Sequence, residues 1–209
     1  MTTTKSPVRL AGFVIAATWA FCAMKVVLAA VMAVNFAIAS GWLPNSSYAV
    51  FGKFVALSVV GNLGVQVVAG VLSLVWIYRV ARNAQRMARY SVPISSGWAV
   101  GWYFIPIGAL WKPFEAMEQT WRASVAPAAW RSVPTPALLR WWWGFWLAGG
   151  AGGGLIGGLS RAGVNDPALT SGMLIVVSTL VVGQCVLFNR IVRQLTDLQT
   201  SAVDVRVFD

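Results

Sequence analysis

Four long apolar runs constrain this chain more than any other feature of its sequence. They cover residues 10–39, 54–78, 141–159 and 171–189, with polar or turn-forming stretches between them. Of the 209 residues, 58% are hydrophobic and 11% are charged, whereas soluble domains carry about 25% charged residues. A helix rises about 1.5 Å per residue, so about 20 apolar residues cross a bilayer core of about 30 Å. The predicted fold class is therefore an all-α integral membrane bundle of four transmembrane helices.

The basic charge follows the pattern of membrane topology and not that of a nucleic-acid-binding protein. The net charge is +10, but the Lys and Arg residues stand at the ends of the apolar runs instead of along one solvent-facing surface. With both termini inside, thirteen of the 16 basic residues lie inside, Lys53 and Arg161 lie outside, and Lys25 lies in the membrane. The positive-inside rule therefore predicts cytoplasmic N and C termini, and no nucleic-acid partner is expected.

The residues needed for metal or covalent chemistry are scarce. The chain contains no histidine, and its two cysteines, Cys22 and Cys185, both fall inside apolar runs. The ligand sets of zinc sites cannot be assembled from this inventory, and no phosphate-binding loop or nucleophile with an adjacent base is found. We therefore expect a protein that is not an enzyme and that holds no metal or cofactor.

The segment at residues 95–124, SSGWAVGWYFIPIGALWKPFEAMEQTWRAS, is apolar and rich in Trp but too short and broken to cross a membrane. Pro106 should interrupt its first helical half, and Pro113 fits the first turn of the second half. Both halves are amphipathic, which predicts a helical hairpin lying in the membrane surface between the second and third spans. A re-entrant hairpin is the alternative. The proline-rich stretch 125–137 is predicted to be an extended linker, and residues 190–209 a C-terminal tail.

Four arginines follow the second apolar run. They are Arg79, Arg82, Arg86 and Arg89, here called the arginine stripe, and they share one face if the helix continues to about residue 89. Two interpretations stay open. The stripe attracts anionic headgroups, or its arginines form an internal clamp on Glu115 and Glu118, the two carboxylates of the loop between the second and third runs.

Several stretches resemble a known family. The sequences WIYRVARN at 76–83, GWAVGWYFIP and LWKPFEAM in the central segment, and RWWWGFW at 140–146 are similar to the bacterial membrane family called domain of unknown function 4328. This resemblance implies a multi-pass bacterial membrane protein and brings no activity, ligand or catalytic residue. We expect the protein in the bacterial inner membrane. The resemblance also implies a distinctive surface formed by Arg79, Asn83, Trp98, Trp102, Pro106, Trp111, Pro113 and Trp121.

The polar residues and glycines inside the runs allow further predictions. Lys25 either snorkels to the inner surface or faces a polar interior, and intramembrane amides either join helices or line a solute path. The candidates for such a path are Lys25, Asn35, Asn62, Gln66 and Gln184. In the third run, GxxxG spacing predicts close helix packing on two adjacent ridges. These ridges consist of Gly149, Gly153 and Gly157, and of Gly150, Gly154 and Gly158.

Two functional hypotheses follow from these features. In the first, the protein is a non-enzymatic scaffold whose hairpin and arginine stripe bind lipid headgroups or a partner, with Trp98, Trp102, Trp111 and Trp121 on the binding surface. In the second, the protein is a channel or transporter subunit that uses the intramembrane polar residues. The partners expected are the bilayer with its anionic headgroups and, beyond lipid, a second copy of the chain or another membrane protein.

Overall fold

The structure is a computed structural model that describes residues 8–44, 46–89 and 91–205. Every regular element in this part of the chain is helical, which confirms the all-α prediction. The helices are α1 (Val8–Ala39), α2 (Ser47–Met87), α3 (Ser96–Gly101), α4 (Lys112–Val125), α5 (Ala137–Arg161) and α6 (Pro167–Val205), with 3-10 turns at Trp102–Phe104, Gly108–Leu110 and Trp130–Ser132. Two of the thirteen basic residues predicted on the cytoplasmic side, Lys5 and Arg206, lie outside the described residues.

Three of these helices contain stretches long and apolar enough to cross a membrane. The stretches are Val8–Ala39, Phe51–Met87 and Pro167–Ser201. Helix α5 has 25 residues, enough by length, but it is not among the three because its many glycines and tryptophans lower its hydropathy. Three long apolar helices indicate a membrane protein.

The ends of the long helices are set by local chemistry. Gly41 follows α1 with φ +78° and Gly163 follows α5 with φ +81°, a left-handed conformation that glycine adopts without a Cβ clash. At the start of α6, Asp166 Oδ1 accepts a hydrogen bond from the Ala168 N–H at 2.8 Å, and Pro167 occupies the first helical position. These residues close α1 and α5 and open α6.

The chain divides into two compact units. The first, which we call the hairpin unit, contains the described residues of 1–17, 69–141 and 187–209, and so includes α3, α4 and the ends of four longer helices. The second, which we call the apolar unit, contains residues 18–68 and 142–186. The central segment therefore belongs to the same compact unit as the start of α1, the end of α2, the start of α5 and the end of α6.

In the hairpin unit, the last turns of α6 are part of the core. Ile191, Val192 and Leu195 are fully buried, and the Trp76 and Phe188 rings meet edge to face with centroids 5.8 Å apart. The prediction of a tail from residue 190 is wrong up to the end of α6 at Val205, because the apolar residues of 188–195 continue one helical face that packs in this unit.

In the apolar unit, α5 and α6 approach each other at specific glycines. A Cβ on Gly152 would lie 2.6 Å from Val177 Cγ2, and one on Gly149 would lie 3.4 Å from Val181 Cγ2. In the opposite direction, the Phe145 ring lies 3.0 Å from a Cβ built on Gly183. The close approach therefore uses one face of α5. The other glycines predicted to pack do not approach α6. A Cβ on Gly157 would meet only Arg161 of the same helix. A Cβ would meet nothing within 4 Å on Gly150, Gly153, Gly154 and Gly158.

Candidate functional site

The backbone that leads into α3 is attached to α2 and α4 by two glutamine side chains. Gln85 uses both ends of its amide, since Nε2 donates to the Ile94 carbonyl at 2.9 Å and Oε1 accepts from the Ser96 N–H at 3.3 Å. Gln119 Oε1 accepts from the Ile94 N–H at 3.1 Å. The backbone that leads into α3 is thus held between two helices by groups that satisfy its polar atoms.

A third glutamine joins α2, α4 and α6 at the centre of the hairpin unit. Gln199 is 1% exposed, and its Nε2 donates to the Val80 carbonyl at 2.9 Å and to Ser124 Oγ at 3.0 Å. Its Oε1 accepts from Asn83 Nδ2 at 3.1 Å. Asn83 was predicted to lie on a binding surface, and this prediction is wrong, because the side chain is 5% exposed and belongs to this buried network.

The stretch after α4 also packs, although it was predicted to be an extended linker. Trp130 is 7% exposed within a cluster that includes Ala88 and Ala123, and its Nε1 donates to Ser91 Oγ at 3.0 Å. The Arg131 guanidinium lies 4.8 Å from the centroid of the Trp130 ring. This stretch therefore forms part of the hairpin unit's core.

The carboxylates of α4 pair within their own neighbourhood. Glu115 Oε2 lies 2.7 Å from Lys112 Nζ, and Glu118 Oε1 lies 2.8 Å from Arg122 Nη2. Thr135 completes the second pair, because its hydroxyl donates to Glu118 and accepts from Arg122 Nη2. The internal clamp between the arginine stripe and Glu115 or Glu118 is not formed, since each carboxylate has a basic partner three or four residues away on the same helix.

The arginine stripe consequently has no carboxylate partner among the described residues. Arg82 and Arg89 are exposed, and Arg79 and Arg86 are half-buried. Among the described residues of the hairpin unit, Arg122 is the one arginine that forms a salt bridge, and its partner is Glu118. Arg193 and Asp197, four residues apart on α6, also form no salt bridge. Among the described residues of this unit, the arginines that form no salt bridge are Arg9, Arg79, Arg82, Arg86, Arg89, Arg131, Arg140, Arg190 and Arg193.

The turn between α3 and α4 presents apolar side chains on its surface. The α-helical part of the first half ends at Gly101, before the break predicted at Pro106, and continues as two short 3-10 turns. The Trp98 and Trp102 rings pack with centroids 4.9 Å apart, and Trp102 lies against Gly108, where a Cβ would be 2.7 Å from the indole. The exposed side chains, here called the aromatic face, are Trp98, Phe104, Ile105, Ile107, Leu110 and Trp111.

Of the predicted surface tryptophans, one is buried and another is half-buried. Trp121 is 8% exposed and packs inside the hairpin unit, so its assignment to the surface is wrong; it lies on the face of α4 that also buries Met117. Trp102 is half-buried, with Lys112 Nζ 5.9 Å from its ring centroid.

Burial raises the pKa of Tyr103 above the ordinary tyrosine value, because the charged phenolate would lose its hydration.

The intramembrane polar candidates do not share one environment in the apolar unit. Lys25 is 9% exposed, with Nζ 5.1 Å from the Phe21 ring centroid. Asn35, Asn62 and Gln184 are half-buried, whereas Gln66 is exposed. Gln66 therefore does not line an interior path within this chain.

Sequence reasoning missed Gln85, Gln119, Gln199 and Trp130. One pattern could have located Gln199, because it follows Val192 and Leu195 at the seven- and four-residue spacings that continue a helical face. A polar residue on such a face is buried and needs hydrogen-bond partners. For Trp130 no comparable periodicity exists in the proline-rich stretch.

Taken together, the long apolar helices and the hairpin unit define a helical membrane protein in which a Trp-rich segment packs on the ends of the long helices. The family model described as Domain of unknown function (DUF4328) matches residues 43–197, more than half of the chain. The chain belongs to this family, which confirms the resemblance found in its sequence. No curated protein and no solved structure matches the chain.

Proposed function

We propose that this protein is a non-enzymatic scaffold of the bacterial inner membrane that binds anionic lipid headgroups with its hairpin unit. In this arrangement α1, α2, α5 and α6 all cross the bilayer and both termini are cytoplasmic. The aromatic face lies at the cytoplasmic boundary of the bilayer, as an interfacial and not a re-entrant element.

The observation that carries the proposal is the coexistence of the aromatic face and the unpaired arginines in one compact unit. Phe104 and Ile107 are each 71% exposed and Trp98 is 52% exposed. Contact of these apolar side chains with water is unfavourable in free energy, and burial in the headgroup region removes that contact. No carboxylate of the described residues pairs with the arginines of the stripe, because Glu115 and Glu118 pair with bases of α4 itself. Lipid phosphates supply the missing anions in bidentate geometry.

The rigid anchoring of the segment supports a binding role. Gln85 and Gln119 fix the backbone before α3, and Gln199 ties α2, α4 and α6 together. A surface held in this way loses little conformational entropy when it binds. The exposed Arg82 and Arg89 are the positions at which a headgroup contact costs the least desolvation.

The test is the lipid preference of the purified protein in nanodiscs that contain phosphatidylglycerol and phosphatidylcholine. Arg82→Gln with Arg89→Gln should lower the preference for phosphatidylglycerol by about thirtyfold at low salt, since each basic residue near an anionic surface contributes about 1 kcal/mol. The matched control, Lys53→Gln with Arg161→Gln, removes the same charge on the side predicted to be outer. An equal loss in both double variants, or no loss in either, contradicts the proposal.

The second hypothesis, a solute path, is favoured by one observation. Lys25 is 9% exposed within the apolar unit, and a basic residue buried among apolar helices often marks a pathway. Liposome flux of small ions by the wild-type protein, compared with Lys25→Met, tests this hypothesis. Flux that is abolished by Lys25→Met would favour transport over the scaffold.

A further inference from the structure

Helix α2 is the least covered of the three long apolar helices. In its most apolar stretch 6% of the residues are buried, against 22% in the corresponding stretches of α1 and α6. Large side chains such as Leu57, Val60 and Leu63 are at least 60% exposed along it. Lipid can cover such side chains, so their exposure alone does not name an occupant.

One residue on this surface is unsuited to lipid. Gln66 is exposed and lies at the centre of the apolar run 54–78. Its amide forms no hydrogen bond with the described residues, and hydrocarbon offers it no donor or acceptor. Because a glutamine amide both donates and accepts, an identical residue satisfies it. Gln66 therefore favours an occupant that carries a donor and an acceptor at the same depth, and a second copy of the chain supplies both.

The residues around Gln66 form a regular seam. Exposed residues lie around most of the circumference of α2, and the five that recur through Gln66 at spacings of four and three match the 3.5-residue repeat of a helix pair. They are Gly52, Ala56, Val59, Leu63 and Gln66, here called the α2 seam. A Cβ on Gly52 would meet nothing within 4 Å, and the small residues at this end allow close approach of a second helix. None of the five seam residues is charged, and the exposed Lys53 flanks the seam beside Gly52.

We propose that two copies of this chain pair in parallel through the α2 seam, with the two Gln66 amides hydrogen-bonded across the two-fold axis. A two-fold axis along the helices brings each seam residue opposite its own copy, which is the arrangement that satisfies an amide with an identical amide. The seam lies in the apolar unit, so this pairing is independent of lipid binding by the hairpin unit.

Cysteine cross-linking in vesicles tests the geometry. With Cys22 and Cys185 replaced by serine, a single cysteine is placed either in the seam, at Val59, or on the opposite side of α2, at Leu57. Leu57 is more exposed than Val59, at 71% against 49%, so exposure alone favours cross-linking at Leu57. The expected result is a disulfide-linked dimer for Val59→Cys and none for Leu57→Cys at low protein density. Equal cross-linking, or cross-linking at Leu57 alone, overturns the proposal.

Dimer affinity in vesicles, measured by energy transfer between labelled copies, tests the role of Gln66. Gln66→Leu should weaken the dimer about three- to thirtyfold, the range of interhelical polar contacts in membranes, and Gln66→Asn should retain most of the affinity. Val68→Leu, on the opposite side of α2, is the control and should leave it unchanged. Because Gln66 is exposed, Leu there should leave the thermal midpoint of the monomer intact. A wild-type protein that stays monomeric, or a Gln66→Leu variant that dimerises equally well, overturns the proposal.

Discussion

Replacing Gln199 by methionine should loosen the hairpin unit while preserving side-chain volume. The side chain is 1% exposed and makes three hydrogen bonds, to Val80, Ser124 and Asn83. Each buried hydrogen bond contributes about 0.5–1.5 kcal/mol net. Their joint loss therefore predicts a destabilisation of about 2–4 kcal/mol, with the upper end set by polar groups left less satisfied in the core.

Hydrogen exchange of the α4 amides in nanodiscs measures this change directly, because opening of α4 from α2 and α6 exposes them. A loss of about 2–4 kcal/mol raises the exchange rate of Gln199→Met between about 30- and 700-fold, at 1.4 kcal/mol per tenfold. The matched control is Gln194→Met, the same substitution at an exposed position of α6, which should change exchange by less than about threefold. Equal exchange rates in the two variants would contradict the conclusion that the Gln199 hydrogen bonds hold α2, α4 and α6 together.

Three further predictions concern packing and charge, each measured as a shift in the thermal midpoint of the purified protein. Gly152→Ala should destabilise the protein by about 1–3 kcal/mol, because the new Cβ would meet Val177 Cγ2 at 2.6 Å. Gly153→Ala, where a Cβ meets nothing within 4 Å, should be neutral or slightly stabilising. A larger loss of stability at Gly153 than at Gly152 would contradict the observed α5 contact face. Trp130→Phe should lower stability by about 0.5–1.5 kcal/mol, because it loses the hydrogen bond to Ser91. Trp141→Phe, at a side chain that is 66% exposed, should change stability very little. Equal losses in the two variants would contradict the assignment of Trp130 to the core. Glu118→Gln should cost about 1 kcal/mol by weakening its pair with the half-buried Arg122, and Asp197→Asn, which breaks no salt bridge, should have no effect; a larger effect of Asp197→Asn would refute this pairing.

The long helices were predictable because their cause is local to the sequence. Apolar runs of sufficient length predict helices in a membrane protein, and α1, α2 and α6 follow three of the four predicted runs. The turns at Gly41 and Gly163 likewise come from residues that favour a left-handed backbone.

The environment of individual side chains could not be predicted in the same way. Asn83 and Trp121 were assigned to a surface by family resemblance, but both are buried, because which face of a helix is covered depends on its neighbours. The sequence is compatible both with an arginine stripe that faces lipid headgroups and with one that clamps Glu115 and Glu118. In the structure the nearer bases Lys112 and Arg122 pair with the two carboxylates. Partners close in sequence need less conformational ordering than partners on another helix.

The depth of the aromatic face in the bilayer tests the central proposal most directly. A nitroxide label at Ile107→Cys, with the native cysteines replaced by serine, is compared with labels at Val68→Cys in the middle of α2 and at Ser132→Cys, which is exposed in the stretch after α4. Accessibility to oxygen and to a water-soluble nickel complex gives the depth of each label. The account predicts an intermediate depth for Ile107, between the other two. A label at Ile107 as deep as at Val68, or as open to water as at Ser132, would contradict it.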